Sequence, residues 1–356
     1  MRHFRSDPVR ILFTFVGGAG HFVPLVPIAR AAVAAGHAVA FTCGGGMVPI
    51  VEREGLTAFA TDPLAVVEPP ERRPLMPVDR EHEQRVLRRT FGEELKRERA
   101  AGIADRCREW RPDLLVCDDA DFGCGVAAER LGLPFARVLF GAPGFMPPEL
   151  EMGGLRLSPF PESFRPGDIP RFRAHDAARS TGRGIYFTLG TIFNRECGDL
   201  FTRVLEGLSP LGVEVVVSVG RNLDPAELAP QPPNVRVERH VDQAEVLPRC
   251  GAVVSHGGSG SVLAALAHGL PSVLLPIGAD QPENADRCAE LGVARVLDAV
   301  RATPADVRAA ILALDGCRAP AARIQAEIAR LPEPGRAVEV LEAYVSGPQG
   351  LSVPPA

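Results

Sequence analysis

Short apolar runs alternate with longer stretches rich in Ala, Leu and Arg along most of the chain. In the first half, strand-length apolar runs cover residues 9–16, 38–43, 114–117 and 135–140. In the second half, similar runs cover residues 184–189, 213–219, 235–237, 251–255 and 272–275. Continuous apolar strands that alternate with helices are typical of parallel sheets that carry helices on both faces.

A proline-rich stretch at residues 143–183, predicted to be irregular, separates these two halves. A chain of 356 residues is also longer than a single core usually supports. The pattern therefore predicts an α/β protein with two Rossmann-like, doubly wound parallel-sheet domains facing each other across a cleft. The predicted parts are residues 1–165, a linker at 166–183, a second domain at 184–335, and a C-terminal helix with a loose tail at 336–356. Ligands of such sheets bind at the carboxyl ends of the strands.

Composition removes several classes of function. The net charge of −5 argues against a nucleic-acid partner. Lys96 is the only lysine, which argues against a phosphate-binding P-loop and Schiff-base chemistry. None of the eight cysteines forms a Cys-x-x-Cys pair, and no apolar run approaches 18 residues. We therefore expect a cytoplasmic protein with reduced thiols and no membrane partner, and we leave a homodimer open.

The sequence VVSHGGSGS at residues 253–261 is a candidate anion site. A strand ends there, glycines allow a tight turn, and the serines open a helix. The free amides of a first helical turn, together with the helix dipole, attract anions. His256, Ser259 and Ser261 would add hydrogen bonds, which favours a diphosphate over a lone carboxylate. The alternative is an ordinary glycine-rich turn that serine residues cap.

A second motif, LPIGADQPEN, follows at residues 275–284 and lies on the same predicted rim. Asp280 only accepts hydrogen bonds when it is ionised, whereas Gln281 both donates and accepts. That combination suits neighbouring sugar hydroxyls. The alternative is a capping turn for the next helix.

Together the two motifs resemble the donor signature of inverting GT-B glycosyltransferases, in particular the family that glycosylates natural products. The family's usual wording is His-Gly-Gly-x-Gly-Thr, then Pro-x-x-x-Asp-Gln-x-x-Asn-Ala. Ser261 replaces the threonine and keeps its hydroxyl, and Asn284-Ala285 match. The resemblance covers residues 186–297 and, more loosely, the whole chain. It implies donor-binding roles for His256, Gly258, Ser259, Gly260, Ser261, Asp280 and Gln281.

Further donor positions follow from the same resemblance. They are Thr191 and Gly220-Arg221, which end strands on the same rim, and His240, Val241 and Gln243, which correspond to the segment that holds the base. Asp242 stands where the family usually has proline. Ala264 occupies a position where family members that use ribosyl donors often carry a carboxylate. Alanine there favours a dTDP-linked sugar, because its deoxyribose lacks the 2'-hydroxyl.

The first domain opens with FVGGAGHFVP at residues 15–24. Val23 stands where a dinucleotide fingerprint has its third glycine, and no acidic residue ends the second strand, which argues against an NAD-dependent oxidoreductase. The run resembles instead the family's Gly-His-x-x-Pro loop. That resemblance makes His21 the general base, and Asp118 the carboxylate that orients it, with Asp119 and Asp121 as alternatives.

The sequence therefore predicts a transferase that moves a sugar, expected to be a deoxysugar, from a dTDP-linked donor to a small natural-product acceptor with inversion. No metal or cofactor is expected. Acceptor contacts are assigned to Gly20, Phe140, Phe145 and Met146. The main alternative is a catalytically silent helper protein that binds the nucleotide sugar, and an epimerase on the same fold also stays open. An α/β-hydrolase is disfavoured, because Ser261 stands where its nucleophile turn requires glycine.

Overall fold

The computed structural model describes residues 8–62, 73–191, 196–220 and 222–347. Within them the chain forms two six-stranded sheets in which every strand pairing is parallel. The prediction of two doubly wound α/β domains is thus confirmed.

The first sheet has the strand order β3-β2-β1-β4-β5-β6. Its strands are β1 (Arg10–Thr14), β2 (Ala38–Gly44), β3 (Thr57–Asp62), β4 (Leu114–Asp118), β5 (Phe135–Val138) and β6 (Leu155–Leu157). Its helices are α1 (Ala19–Phe22), α2 (Val26–Ala34), α3 (Val48–Arg53), α4 (Arg80–Val86), α5 (Lys96–Trp110) and α6 (Phe122–Leu131). A π-helical segment, Leu87–Leu95, joins α4 to α5.

The second sheet has the order β12-β11-β10-β7-β8-β9. Its strands are β7 (Gly184–Thr188), β8 (Val215–Ser218), β9 (Val235–Glu238), β10 (Cys250–Ser255), β11 (Ser272–Leu274) and β12 (Ala294–Val296). The helices are α7 (Leu200–Leu208), α8 (Gln243–Val246), α9 (Ser259–Ala267), α10 (Gln281–Glu290), α11 (Pro304–Leu312), α12 (Asp315–Arg330) and α13 (Pro334–Ser346).

Both sheets reverse the direction of winding between their two central strands. In the first sheet the change falls between β1 and β4, and in the second between β7 and β10. A crevice opens at such a point, because the connections on its two sides lead to opposite faces of the sheet. Each domain therefore offers one such crevice, at the carboxyl ends of its central strands.

The sequence analysis did not predict three of the strands: β3, β6 and β12. Each is short or partly exposed, so none forms a continuous apolar run. The strand β6 lies inside the proline-rich stretch 143–183, which the sequence predicted to be irregular throughout. It pairs with β5, and that prediction was therefore wrong for residues 155–157.

Aromatic packing holds α1 against the first sheet. Phe22 on α1 meets Phe15 and Phe41, with ring centroids 5.4 and 5.3 Å apart. All three rings are at most 1% exposed. Burial of each ring contributes about 1.5–3 kcal/mol, so the short helix that carries His21 is firmly packed against the sheet.

The last helix returns to the first domain. Ala337, Val338 and Leu341 of α13 are buried in the same core as Ile28 and Ala29 of α2. In the described part of the chain, no helix is long and apolar enough to cross a membrane.

The substitution Leu341→Ala should lower the free energy of unfolding by about 2–5 kcal/mol, because it opens a cavity where α13 meets the first domain. Urea denaturation followed by circular dichroism measures this. Leu312→Ala is the matched control, since Leu312 is 67% exposed and should cost about 0.5 kcal/mol or less. Equal losses in the two variants would contradict the packing of α13 described above.

Candidate active site

The crevice of the first sheet holds a histidine paired with a carboxylate. His21 lies on α1, immediately after β1, and its Nδ1 is 3.2 Å from Oδ1 of Asp118 at the end of β4. The Asp118 side chain is fully buried, whereas that of His21 is 28% exposed. Because an ionised carboxylate only accepts hydrogen bonds, Nδ1 of His21 carries the proton and donates. In the neutral imidazole, Nε2 is then the unprotonated nitrogen.

Two backbone amides fix the Asp118 carboxylate. Its Oδ2 accepts from Val16 N and its Oδ1 accepts from Ala120 N, both at 2.8 Å. These bonds leave the carboxylate one orientation, toward His21.

The two alternative aspartates point elsewhere. Asp121 accepts from Thr14 Oγ1 at 2.7 Å and from the guanidinium of Arg99 at 2.8 and 2.6 Å. Asp119 accepts from Arg137 at 3.1 Å. Burial raises the pKa of Asp119, and the two neighbouring arginines, Arg137 and Arg165, oppose that rise. Of the three predicted carboxylates, the structure brings Asp118 to His21.

The pKa of His21 lies above its ordinary value. Burial, the largest single influence, lowers this pKa, but the charge and hydrogen bond of Asp118, together with the other raising contributions, outweigh it. The carboxylates of Asp280 and Asp121 raise the pKa further. The imidazole is therefore a stronger base than an ordinary histidine, and it loses its proton only above the usual pH.

The crevice of the second sheet holds His256, directly after β10. Its ring lies between two glycines: a Cβ on Gly190 would be 2.6 Å from His256 Nε2, and a Cβ on Gly258 would be 2.5 Å from it. Either contact is shorter than real Cβ atoms show, so these positions need glycine for the ring to fit. Burial lowers the pKa of His256 to about 4, although the charge of Asp280 and a backbone hydrogen bond at Thr188 oppose the shift. His256 is thus a neutral hydrogen-bonding group.

The helix α9 begins at Ser259, within the glycine-rich motif. Gly258 is its N-cap residue, and no side chain caps the amides of its first turn. Gly260 is exposed and Ser261 is half-buried. The first turn, the helix dipole and His256 therefore form a concentrated set of hydrogen-bond donors suited to an anion.

The second motif folds over this helix end. Asp280 Oδ2 accepts from Ser259 Oγ at 2.5 Å and from Asn284 Nδ2 at 2.8 Å. The oxygen of Gln281 accepts from the amides of Ile277 and Gly278 at 2.8 and 3.3 Å. The Gln281 oxygen therefore holds the loop, and the residue is only 2% exposed.

The two crevices face one another. The Asp280 carboxylate of the second domain raises the pKa of His21 in the first domain and opposes the fall at His256 in its own. A carboxylate that acts on both histidines lies between the two sides of the cleft. The cleft thus contains a base, a neutral donor and an acceptor-only group.

The residues predicted to bind the nucleotide base, and the other predicted donor residues, lie along the ends of β7, β8 and β9. Gln243 Nε2 donates to Tyr186 Oη at 3.4 Å, Val241 is buried, and His240 is exposed. Gly220 N donates to Arg239 O at 2.9 Å, and Thr191 is exposed after β7. Ala264 is buried and packs beside Tyr186 and Val241. Arg221, the remaining predicted donor residue, lies outside the described residues.

The predicted acceptor residues are spread along one side of the first domain. Gly20 is exposed beside His21, and Phe140 packs partly against the first core. Phe145 and Met146 are half-buried, and the Phe145 carbonyl accepts from Gln84 Nε2 of α4 at 2.6 Å. These side chains are available to an apolar acceptor, while the carbonyl of Phe145 anchors its loop to α4.

Contacts between the domains bring in residues that the sequence analysis did not assign. Ala142 N donates to Asn284 Oδ1 at 2.7 Å, and Arg80 of α4 pairs with Glu283 and Asp286 of α10 at 2.9 and 2.5 Å. The signals for Asn284 were its match to the second motif and its position one turn after Asp280. No local pattern indicated Arg80 or Ala142.

The chain is similar to proteins of antibiotic biosynthesis. Residues 202–344 match the family described as "Erythromycin biosynthesis protein CIII-like, C-terminal domain". The chain is 30% identical to the L-demethylnoviosyl transferase of Streptomyces niveus, over 94% of this chain and 98% of that protein. It is 28% identical to the TDP-daunosamine transferase DnrS of Streptomyces peucetius, over 94% of this chain and 96% of that protein.

A solved structure shares the architecture. The glycosyltransferase SnogD from Streptomyces nogalater superposes with a TM-score of 0.76 at 25% identity, covering 95% of this chain and all of that one. The similarity therefore includes both sheets and the cleft between them.

The substitution Asp118→Asn should lower the pKa of His21, because it removes the largest of the charges that oppose the effect of burial. NMR titration of the imidazole Cε1–H signals measures this, with His21→Gln assigning the resonance. Asp119→Asn is the matched control, since the same change one residue away should leave His21 unaltered. An unchanged His21 pKa in Asp118→Asn would rule out the pairing.

Proposed function

Because the chain belongs to the GT-B glycosyltransferases of antibiotic biosynthesis, we propose that it transfers a deoxysugar from a dTDP-linked donor to a small natural product. The observation that carries the proposal is the opposition of the His21–Asp118 pair and the His256 helix end, with Asp280 between them. One side supplies a base, and the other supplies donors for a diphosphate. The names of relatives such as TDP-daunosamine transferase support the deoxysugar and the thymidine nucleotide.

In the proposed reaction, Nε2 of His21 takes the proton of an acceptor hydroxyl. The acceptor oxygen then forms a bond to the anomeric carbon, and the bond from that carbon to the diphosphate oxygen breaks. Attack from the face opposite the leaving group inverts the configuration of the carbon. Asp118 stabilises the imidazolium that forms, because its carboxylate is fixed at Nδ1.

The leaving diphosphate gains negative charge as the bond breaks. We assign its stabilisation to the first-turn amides of α9, the Ser261 hydroxyl and neutral His256, with no metal ion required. A neutral histidine suits this role, because it can donate an N–H without carrying a proton that the pH of the cell would remove.

The preference for dTDP rests on Ala264. Ala264 lies on α9, is 2% exposed and belongs to an apolar cluster, so it offers no acceptor to a ribose 2'-hydroxyl. A UDP-linked donor would bury that hydroxyl without a hydrogen-bond partner, which costs free energy.

Calorimetric titration should show dTDP binding more tightly than UDP, with equal affinity in the presence and absence of EDTA. His256→Ala should weaken dTDP binding about ten- to hundredfold, the equivalent of one charge-assisted hydrogen bond. Gly258→Ala should weaken it too, since the new methyl group displaces the His256 ring.

Gly335→Ala is the control for the glycine variant, because a Cβ there meets nothing within 4 Å. Well-folded protein that binds neither nucleotide would exclude the transferase. Binding that EDTA abolishes would exclude the metal-independent mechanism, and tighter UDP binding would exclude the dTDP preference.

In a screen of natural-product acceptors with a dTDP-sugar, His21→Ala should lower kcat by about 10²- to 10⁴-fold, the usual contribution of a general base. Its affinity for dTDP should stay within about twofold of the wild type, because His21 belongs to the opposite domain. Release of dTDP and the anomeric configuration of the product are both measured. Wild-type protein that binds dTDP but turns over no acceptor would favour the silent helper protein instead.

A further inference from the structure

Asn284 occupies the point where the two domains meet at the cleft. It lies on α10, and its side chain is fully buried. Its Oδ1 accepts from Ala142 N of the first domain at 2.7 Å, and its Nδ2 donates to Gly257 O at 3.0 Å. A backbone amide can only donate and a carbonyl can only accept, so these partners fix the orientation of the side-chain amide.

The same amide nitrogen also donates a hydrogen bond to Asp280. It lies 2.8 Å from Asp280 Oδ2, and Ser259 Oγ donates to that oxygen at 2.5 Å. With Oδ2 held by two donors, the direction of the other carboxylate oxygen is set. Asn284 therefore touches the first domain with one end of its amide and the predicted sugar-binding carboxylate with the other.

The first-domain side of this contact is built around a close backbone approach. Gly141 has φ +68, and a Cβ there would lie 2.6 Å from Ser259 Oγ, 2.7 Å from Asn284 Oδ1 and 3.2 Å from Asp280 Oδ2. A side chain at this position would push the segment off the second domain. From the other side, Arg165 donates to the carbonyls of Phe140 and Gly141 at 3.2 and 2.8 Å.

We propose that Asn284 is a positioning residue that couples docking of the first-domain segment 140–142 to the orientation of Asp280. When the segment docks, Ala142 N holds the amide, and the amide presents Asp280 toward the donor sugar and His21. When the domains separate, Asn284 loses one of the two partners that fix its amide, and its hold on Asp280 is weakened. The inference rests on the proposed function, since it assigns Asp280 to the donor sugar.

This coupling places the sugar site under the control of both domains. A donor that enters the open cleft meets the diphosphate site of α9 first, and Asp280 is aligned only as segment 140–142 arrives. Asp280 then binds the sugar hydroxyls at the moment when His21 comes opposite the anomeric carbon. Such an arrangement favours sugars whose hydroxyls match Asp280 in the closed cleft, rather than donors that merely carry the right nucleotide.

The test uses the pKa of His21 to report where the Asp280 charge lies, and it needs no substrate. Asp118, Asp280 and Asp121 are the charged groups that raise the His21 pKa. Asp280→Asn should lower that pKa in an NMR titration of the full chain. Asn284→Ala should reproduce most of this fall, because Asp280 is no longer held toward the cleft. The double variant should show no further fall.

Two further variants separate positioning from general loosening of the domains. Gly141→Ala should lower the His21 pKa as Asn284→Ala does, from the opposite domain and without altering any side chain of the donor loops. Gly153→Ala is its control, since a Cβ there meets nothing within 4 Å. Arg80→Ala removes a different tie to α10 and should leave the His21 pKa at the wild-type value.

A wild-type His21 pKa in both Asn284→Ala and Gly141→Ala, beside a lowered one in Asp280→Asn, overturns the proposal. So does an Asp280→Asn variant that leaves His21 unchanged, or an Arg80→Ala variant that lowers the pKa as far as Asn284→Ala. If Asn284→Ala does not fold, Gly141→Ala decides alone. Failure to bind dTDP would overturn the proposed function yet leave this titration readable, because the titration uses no nucleotide.

Discussion

The pairing of two central strands in each sheet determines where the chemistry of this protein can occur. Thr14 of β1 aligns with Cys117 of β4, and Thr188 of β7 aligns with Ser255 of β10. Because these strands are parallel and in register, the residues that follow them emerge side by side. His21 thus meets Asp118, although 97 positions separate the two residues along the chain. In the same way Gly190 meets His256 from the neighbouring strand. The loop that carries Asp280 is placed beside them by the further pairing of Ser255 in β10 with Leu274 in β11.

Sequence alone predicted much of this arrangement. Continuous apolar runs located the central strands, because these are buried on both faces, and the two donor motifs marked the crevice of the second sheet. The edge strands β3, β6 and β12 could not be found in this way, since partial exposure breaks the apolar pattern. The packing of α13 on α2 was equally hidden, because it joins the two ends of the chain.

The site shows the same division between local and distant information. His21 and Asp118 each follow a predicted strand, and a resemblance in motif was enough to pair them as a prediction. The engagement of the Gln281 oxygen by its own loop depends on backbone geometry that residue types do not specify. The bond from Ala142 N to Asn284 joins residues 142 positions apart, and it exists only because the two domains close on each other.

The two histidines of the cleft show how one fold gives the same residue type opposite properties. Burial lowers the pKa of each. At His21 the Asp118 hydrogen bond and the charges of three carboxylates together more than reverse that effect, whereas at His256 the charge of Asp280 and a backbone hydrogen bond only partly oppose it. A base must accept a proton during the reaction, while a group that stabilises a leaving diphosphate must hold its N–H without exchanging it. The environments push the two pKa values apart in the directions that the roles proposed for the two histidines require.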